Sequence, residues 1–346
     1  GAADGTLQTQ NIDALAKNGM LFSRGYAANA TCAPSRASIM TGKYPTRFGY
    51  EFTPVPAAGR LIMNWLAEES DTGLRARIDQ EVATKIPPFM LQGMPTEEIT
   101  IAEVLRDSGY YTAHIGKWHL GHANGMDPLS QGFQDSLSMV GPLYLPEDHP
   151  DVVNAKFDTR IDKMIWGIGQ YSATFNKGDL FAPDKYLTDY YTDEALKVIE
   201  NNKNRPFFLY LSHWAIHNPL QALRSDVEQM SHMEGHNLQV YSGMIAALDR
   251  SVGEVVQKLK DLDIHGKTLI IFTSDNGGAN YIELDDINKP YRGWKLSFFE
   301  GGIRVPYIVS WPDEINPGQN SNDAVHHFDI FSTCLLYTSD AADDTP

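Results

Sequence analysis

The sequence predicts an α/β fold in which a large, mostly parallel central sheet is flanked by helices. Apolar strand-like segments alternate with amphipathic helical segments along the chain, and no internal repeat interrupts this alternation. Three of the apolar segments run directly into polar clusters. Ligands bind at the carboxyl ends of the strands in such sheets, so we expect the three clusters to meet at one edge.

The helices are predicted from apolar periodicity and from start and stop residues. Thr100-Ile-Ala-Glu103 has the capping-box pattern that opens a helix. The predicted helices cover residues 11–18, 100–108 and 186–200, and a long segment whose apolar face runs from Met244 to Leu259.

The strands are predicted from short apolar runs bounded by turn residues, at residues 110–116, 206–212, 268–274 and 303–311. Residues 54–95 and 141–183 are rich in proline, glycine and polar residues, and we interpret them as long loops over the rim of the sheet. Long loops of this kind often bind ligands.

The composition excludes several classes of protein. The net charge of -16 argues against a nucleic-acid binder. No apolar run is long enough to span a membrane, and no signal-peptide pattern opens the chain. A hydrophobic content of 42% and a charged content of 21% are typical of a soluble globular domain.

The end of the chain differs from the rest. Residues 334–344 read CLLYTSDAADD and follow a well-patterned segment without a turn signal. Back-translated, they resemble a common sequencing adapter, so we interpret residues 334–346 as a non-native tail and residues 1–333 as the catalytic domain. Cys32 is then the only native cysteine, whereas a genuine acidic tail is the alternative.

The strongest motif surrounds that cysteine. Residues 32–36 read Cys-Ala-Pro-Ser-Arg, and the segment ends in Thr41-Gly42. An isolated cysteine is usually a buried and inert residue. With these flanking residues, the segment instead resembles the signature of the type I, formylglycine-dependent sulfatases. These arylsulfatase-like enzymes belong to the alkaline-phosphatase-like superfamily.

The resemblance implies a specific chemistry. A maturation enzyme would oxidise Cys32 to formylglycine, whose hydrated aldehyde attacks the sulfur of a sulfate ester and later expels sulfate. Arg36 would orient the formylglycine and offset its charge. The same resemblance implies an alkaline-phosphatase-like fold.

Three further segments resemble blocks of the same family. In Gly116-Lys-Trp-His-Leu-Gly121, Lys117 would contact a sulfate oxygen and His119 would hydrogen-bond the formylglycine hydroxyl. Lys295 would bind the sulfate and the leaving oxygen, and His217, in His-Asn-Pro, would serve as the general acid. Without the resemblance, Lys117 would be interpreted as a solvated lysine, and His119 and His217 as packed structural histidines. His213 matches no block of the family, and we predict that it is structural.

A metal site is also expected. Ser274-Asp-Asn-Gly-Gly278 follows a strand, and its carboxylate and amide oxygens suit Ca²⁺ or alternatively Mg²⁺. Alone, Asp-Asn-Gly is more often a turn. The resemblance implies that Asp275, Asn276 and the modified Cys32 bind the cation.

Some features of the family are not found in this sequence. The family carries a pair of aspartates just after its first strand and a small C-terminal domain, and none of these is found in the sequence. We therefore expect a fragment cut at both ends that folds poorly and binds metal weakly. The resemblance further implies a periplasmic or secreted protein.

Three functions fit these observations. The first is a sulfatase acting on a sulfated sugar or polysaccharide, with a formylglycine-generating enzyme as its maturation partner. The second is a formylglycine-dependent phosphonate or phosphate monoester hydrolase, and the third is a non-catalytic relative that binds sulfated glycans. Three aromatic residues, Trp65, Trp166 and Tyr171, would stack on sugar rings or serve packing alone.

Overall fold

The structure is a computed structural model that describes residues 7, 9–54, 85–284 and 286–343. The helices are α1 (Gln10–Lys17), α2 (Cys32–Thr41), α3 (Ile101–Asp107), α4 (Arg160–Gly167), α5 (Leu187–Asn202), α6 (Arg224–Gln229), α7 (His236–Asp261), α8 (Glu300–Ile303) and α9 (His327–Asp343). The strands are β1 (Met20–Tyr26), β2 (Tyr111–Gly116), β3 (Asp135–Met139), β4 (Val152–Ala155), β5 (Ala173–Phe175), β6 (Leu180–Phe181), β7 (Phe207–Ser212), β8 (Leu220–Leu223), β9 (Ile270–Thr273), β10 (Tyr307–Ser310) and β11 (Gln319–His326).

The strands form three sheets, with the orders β11-β1-β10-β9, β6-β5-β3-β2-β7 and β4-β8. The α/β class is confirmed, but the two larger sheets are mixed. Strand β2 runs parallel to β3 and β7, whereas β10 is antiparallel to β1 and β9. Strands β5 and β6 are antiparallel as well, because only a short turn joins them and a parallel pair needs a long crossover.

Most predicted elements are present with small changes at their ends. The capping box of α3 is confirmed: the Thr100 hydroxyl accepts from the Glu103 backbone N–H, and the Glu103 carboxylate accepts from the Thr100 N–H. The predicted strand at 303–311 is wrong over its first residues. Residues 300–303 form the short helix α8, so the strand β10 begins only at Tyr307.

The predicted loop at 141–183 contains β4, α4, β5 and β6. These elements have two to eight residues, too few for apolar periodicity to reveal them. Most of the predicted loop at 54–95, with Trp65, lies outside the described residues.

Two groups of buried side chains form the core. One packs α5 and α7 against the sheet that contains β2, around residues such as Tyr144, Tyr186, Tyr191, Leu220 and Met244. The other lies beneath α2 and includes Met40, Ile101, Trp118, Leu120 and Phe133. Together they hold α2 and the end of β2 in fixed positions, and both segments carry predicted site residues.

Helix α9 packs on α2, and its backbone is helical through Asp343. The first part of α9 belongs to the predicted catalytic domain, so the adapter origin of residues 334–346 stays a prediction. No helix in the described part of the chain is long and apolar enough to cross a membrane.

Gly116 occupies a position that no larger residue fits. Its φ is +109°, and a Cβ there would lie 2.1 Å from the Ser212 carbonyl oxygen of the neighbouring strand. Both the left-handed backbone and the close approach of β7 therefore require glycine.

Gly116→Ala should lower the free energy of unfolding by about 3 kcal/mol, since overpacking adds to the left-handed strain. The control is Gly109→Ala, which has a similar φ of +90° but open space around the Cβ, and which should cost about 1 kcal/mol. Urea unfolding measures both. Equal losses would contradict the steric argument.

Candidate active site

Cys32 is the first residue of α2, and the loop before the helix is held by its own side chains. The Asn29 side-chain oxygen accepts from the Thr31 backbone N–H at 3.0 Å and from the Thr31 hydroxyl at 2.8 Å. The Ser35 hydroxyl donates to the Asn29 carbonyl at 2.7 Å. Cys32 thus lies at the positive end of a helix, a position that favours an anion.

The remaining motif residues explain why α2 has this form. Pro34 lies in the first turn, where its missing N–H costs nothing. Gly42 ends the helix with a φ of +66°, and its N–H donates to the Ser38 carbonyl. Every residue of α2 is buried, so Arg36 points into the protein and not into solvent.

Lys117 and His119 lie in the turn that directly follows strand β2. The Lys117 N–H donates to the Ser212 carbonyl at 2.8 Å, which extends the pairing of β2 with β7 by one bond. His119 follows with a φ of +66°, an uncommon conformation for a residue with a side chain. This turn lies directly after the strand end, where the sequence predicts the chemistry.

Lys295 comes from a loop whose backbone is bonded to two other loops of the site. The Lys295 N–H donates to the Gly278 carbonyl at 2.9 Å, and the Leu296 N–H donates to the Ala30 carbonyl at 2.8 Å. The loop therefore holds Lys295 between the cysteine loop and the metal loop. Its ammonium lies 3.1 Å from His217 Nε2.

The structure brings the predicted catalytic residues together around one buried point. Charge or hydrogen bonds from four of them act on the Cys32 sulfur, namely Lys117, His119, His217 and Lys295. Arg36 lies one turn further along α2, behind this point. His213 lies apart, because its Nε2 pairs with the Ser251 hydroxyl of α7 at 2.9 Å.

The surroundings of Cys32 favour a negative charge. Burial alone would raise the pKa of its thiol, but the charges of Lys117 and Lys295, together with the nearby side chains of His119 and His217, hold that pKa well below the ordinary value. The thiol stands where the resemblance places the formylglycine hydroxyls. The site is therefore built to stabilise an anion on the side chain at position 32.

The basic residues themselves are perturbed. Burial lowers the pKa of Lys117 to about 8. Burial, reinforced by the charge of Lys117, lowers the pKa of His119 to about 4. The pKa of His217 falls to about 4 for the same reason, with Lys295 as the neighbouring cation. Both histidines are accordingly neutral at pH 7 in the free protein.

The hydrogen bonds of His217 fix its tautomer. Its Nδ1 lies 2.7 Å from the Asn218 carbonyl, which can only accept, so Nδ1 carries a proton. Its Nε2 accepts from the Lys295 ammonium. Any proton that His217 gives to a substrate must therefore sit on Nε2, next to Lys295.

Asp275 and Asn276 lie at the end of β9, as predicted. The Asn276 amide nitrogen donates to the Gly277 carbonyl at 2.8 Å, and its oxygen is buried without a partner among the described residues. An unpaired buried oxygen beside a carboxylate fits a hard cation. No cluster of three histidine, cysteine, aspartate or glutamate residues that could hold a metal occurs in the part of the chain that the structure describes.

Arg36 connects the separate pieces of the site. Its Nε donates to Asp275 Oδ2 at 2.7 Å, and one terminal nitrogen donates to the Lys117 carbonyl at 2.6 Å. The same nitrogen lies 3.5 Å from the Tyr210 hydroxyl of β7. The guanidinium thus joins α2 to the ends of β2 and β9.

Sequence reasoning missed two residues beside this cluster, Tyr210 and Trp214. Tyr210 is part of an apolar strand and Trp214 lies between two histidines, so neither has a pattern of its own. Tyr171 and Trp166, for which stacking on sugars and packing were both open, are described, and their role stays a prediction. The Tyr171 hydroxyl donates to the Lys185 carbonyl, and Lys156 lies over the Trp166 ring.

A family model described as Sulfatase matches residues 2–340 of the chain. The N-acetylgalactosamine-6-sulfatase of Sus scrofa is 32% identical over 332 residues, which are 95% of this chain and 57% of that protein. The arylsulfatase of Hemicentrotus pulcherrimus is also 32% identical, over 93% of this chain and 52% of that protein. The chain thus spans little more than half the length of these relatives.

A similar fold is found among solved structures. The crystal structure of Ps i-CgsB in complex with k-i-k-neocarrahexaose superimposes with a TM-score of 0.77 and 28% identity. The match covers 97% of this chain and 68% of that one.

The buried ion pair of Arg36 with Asp275 predicts a strong coupling. Arg36→Met should lower the free energy of unfolding by about 3–5 kcal/mol, because Asp275 loses its charged partner. The Lys117 carbonyl loses one donor but keeps the Ser212 hydroxyl at 2.7 Å. Asp275→Asn in the same chain should recover part of this loss, which a double-mutant cycle in EDTA measures. Lys43→Met, which breaks the half-exposed pair with Glu98, is the control and should cost at most about 1 kcal/mol. Additive effects of Arg36→Met and Asp275→Asn would refute the coupling.

His213 predicts a pH dependence of stability. Burial lowers the pKa of His213 in the folded state to about 4, whereas in the unfolded chain its pKa is about 6.5. The folded state prefers the neutral ring, so this contribution is complete above about pH 6.5 and is lost as the pH falls towards 4. His213→Gln should reduce the loss of stability between pH 7.5 and pH 5 by about 2 kcal/mol in urea titrations. An unchanged pH dependence would mean that His213 already titrates normally.

Proposed function

The chain belongs to the sulfatase family, and we propose that it hydrolyses sulfate monoesters through a formylglycine made from Cys32. One observation carries the proposal. Two lysines and two histidines converge on the buried side chain at position 32 and favour a negative charge there.

The converging cations suit sulfuryl transfer. A sulfuryl group in transfer spreads negative charge over its oxygens, and fixed cations in a buried site stabilise that charge. Lys117 and Lys295 come from different loops, so they would hold the group from two sides. The formylglycine hydrate supplies the nucleophile that the unmodified residues lack.

The leaving oxygen needs a proton, and His217 and Lys295 form the pair that would hold it. Nδ1 of His217 is committed to the Asn218 carbonyl, and Nε2 faces the Lys295 ammonium. A negative sulfate ester in the site would favour protonation of Nε2, because it offsets the charge of Lys295. His217 would then act as the general acid, whereas Lys295 would keep its charge and bind the sulfate and the leaving oxygen.

A divalent cation would complete the site. Asp275 and Asn276 would hold it together with the modified residue 32, because the Asn276 oxygen is otherwise an unpaired buried acceptor. A hard cation such as Ca²⁺ would add positive charge beside the sulfuryl oxygens. Arg36, bonded to Asp275, would keep the carboxylate in place for the ion.

For the substrate, we propose a sulfated sugar or polysaccharide. Support comes from the relatives, which include an N-acetylgalactosamine-6-sulfatase and a structure in complex with a neocarrahexaose. Maturation by a formylglycine-generating enzyme, and a periplasmic or secreted location, complete the proposal.

The test begins with the mass of the tryptic peptide Gly25–Arg36 after co-expression with a formylglycine-generating enzyme. Converted protein should show a higher kcat/KM on 4-nitrophenyl sulfate than on 4-nitrophenyl phosphate. Cys32→Ala should lower the activity on the order of 10⁶-fold, as loss of a nucleophile does. Cys334→Ala is the matched control, and its activity should equal that of the parent chain.

Three results would count against the proposal. A preference for the phosphate ester would favour the phosphonate and phosphate hydrolases. An unmodified Cys32, with a control sulfatase converted in the same cells, would favour the non-catalytic glycan binder. Full activity of Cys32→Ala would exclude this residue as the source of the nucleophile.

A further inference from the structure

We propose that Trp214 is a positioning residue, whose indole ring holds the Lys117 ammonium and the His217 imidazole in the relative arrangement that the reaction needs. This inference rests on the proposed function. It goes beyond it, because Trp214 belongs to none of the motifs to which the sequence analysis gives a role.

Three contacts define the environment of Trp214. The Lys117 ammonium lies 4.7 Å from the centre of the indole. The His217 ring stacks on the indole, with a centroid separation of 3.9 Å and an angle of 24° between the planes. The indole N–H donates to the Pro142 carbonyl at 2.8 Å, and only 8% of the residue is exposed.

These contacts cross between two elements of the fold. Lys117 follows β2, whereas Trp214 and His217 follow β7. The indole is fixed by burial and by the hydrogen bond to the Pro142 carbonyl. Because the Lys117 ammonium and the His217 ring both contact this fixed ring, their positions relative to each other are restrained. A shift of either partner by 1 Å can lower the rate of a reaction on the order of 100-fold.

An aromatic ring suits this task better than a carboxylate. Among the described residues, no carboxylate lies within ion-pair distance of the Lys117 ammonium. A carboxylate would hold the ammonium but would also neutralise it and repel the sulfate. The face of an indole attracts a cation without adding a net charge, so Lys117 remains available for the sulfate oxygens.

Stacking serves His217 in a similar way. It restrains the plane of the imidazole and leaves both nitrogens free for bonds within that plane. One nitrogen binds the Asn218 carbonyl, and the other faces Lys295 and the expected leaving oxygen. The indole therefore fixes the direction in which His217 can deliver a proton.

The experiment compares Trp214→Leu with Trp214→Phe, in chains whose conversion of Cys32 has been checked by peptide mass. Phenylalanine keeps an aromatic face, and leucine does not. Trp311→Leu is the control for loss of a tryptophan, since Trp311 follows β10 at the edge of the sheet opposite Asp275. Two esters are assayed: 4-nitrophenyl sulfate, whose leaving group needs no proton, and an alkyl sulfate, whose leaving group does.

We expect Trp214→Leu to lower kcat on the order of 100-fold for the alkyl ester and about tenfold for the nitrophenyl ester, with KM changed only a few-fold. Trp214→Phe should stay within a few-fold of the parent for both esters, as should Trp311→Leu. Equal losses of Trp214→Leu on the two esters would overturn the proposal, because a merely structural role does not depend on the leaving group. A Trp214→Phe variant as impaired as Trp214→Leu would overturn it as well.

A failure of the role of Trp214 can be distinguished from a failure of the proposed function. If the converted parent chain hydrolyses neither ester, the proposed function fails. The position of Lys117 is then measured by the affinity for inorganic sulfate in a calorimeter. Trp214→Leu should weaken binding about fivefold or more, within the range of a buried cation–π contact, and Trp214→Phe should not. Equal affinities of the parent and Trp214→Leu would overturn the role of the indole.

Discussion

The buried guanidinium of Arg36 is the interaction on which the site depends. It belongs to α2, yet it binds the carboxylate that ends β9 and the carbonyl that ends β2. Those two strands belong to different sheets, and neither sheet alone contains the whole site. The planar guanidinium holds its donors in a rigid fork and binds both partners in fixed directions, whereas a lysine would offer a point charge on a flexible stem. The helix that carries the proposed nucleophile is thereby locked to the loops that carry the neighbouring lysines and the expected metal.

The candidate site was largely predictable because its residues lie in short motifs with fixed spacing. Cys32, Pro34 and Gly42 each have a local reason that can be read from the sequence: the helix start, its first turn and its left-handed end. The polar clusters after β2, β7 and β9 were placed together by one rule, that chemistry gathers at the carboxyl ends of strands. That rule needs only the order of strands and polar residues, and it does not require the register of the sheet.

The remaining features depend on contacts that a single sequence does not contain. The split into separate mixed sheets follows from which strands pair, and β1, β3 and β11 have no strong apolar alternation to reveal them. The short strand β6 has two residues, and only its pairing with β5 makes it a strand. Trp214 contacts Lys117, which lies almost one hundred positions earlier in the chain. Its place beside the site follows from tertiary packing, which overrides local pattern.

The burial of α2 has a consequence for how the protein must be made. Cys32 is 3% exposed, so any enzyme that modifies it has to act before α2 packs into the fold. Two partners of α2 arrive late, because Asp275 and helix α9 lie on the order of 250–300 residues further along the chain. At roughly 5–20 residues per second, translation takes roughly 15–60 seconds to reach them, whereas Ile101 and Trp118, which belong to the core beneath α2, are synthesised earlier. The last contacts of α2 therefore form only when most of the chain has been synthesised, which leaves time for the proposed conversion of Cys32 before the site is complete.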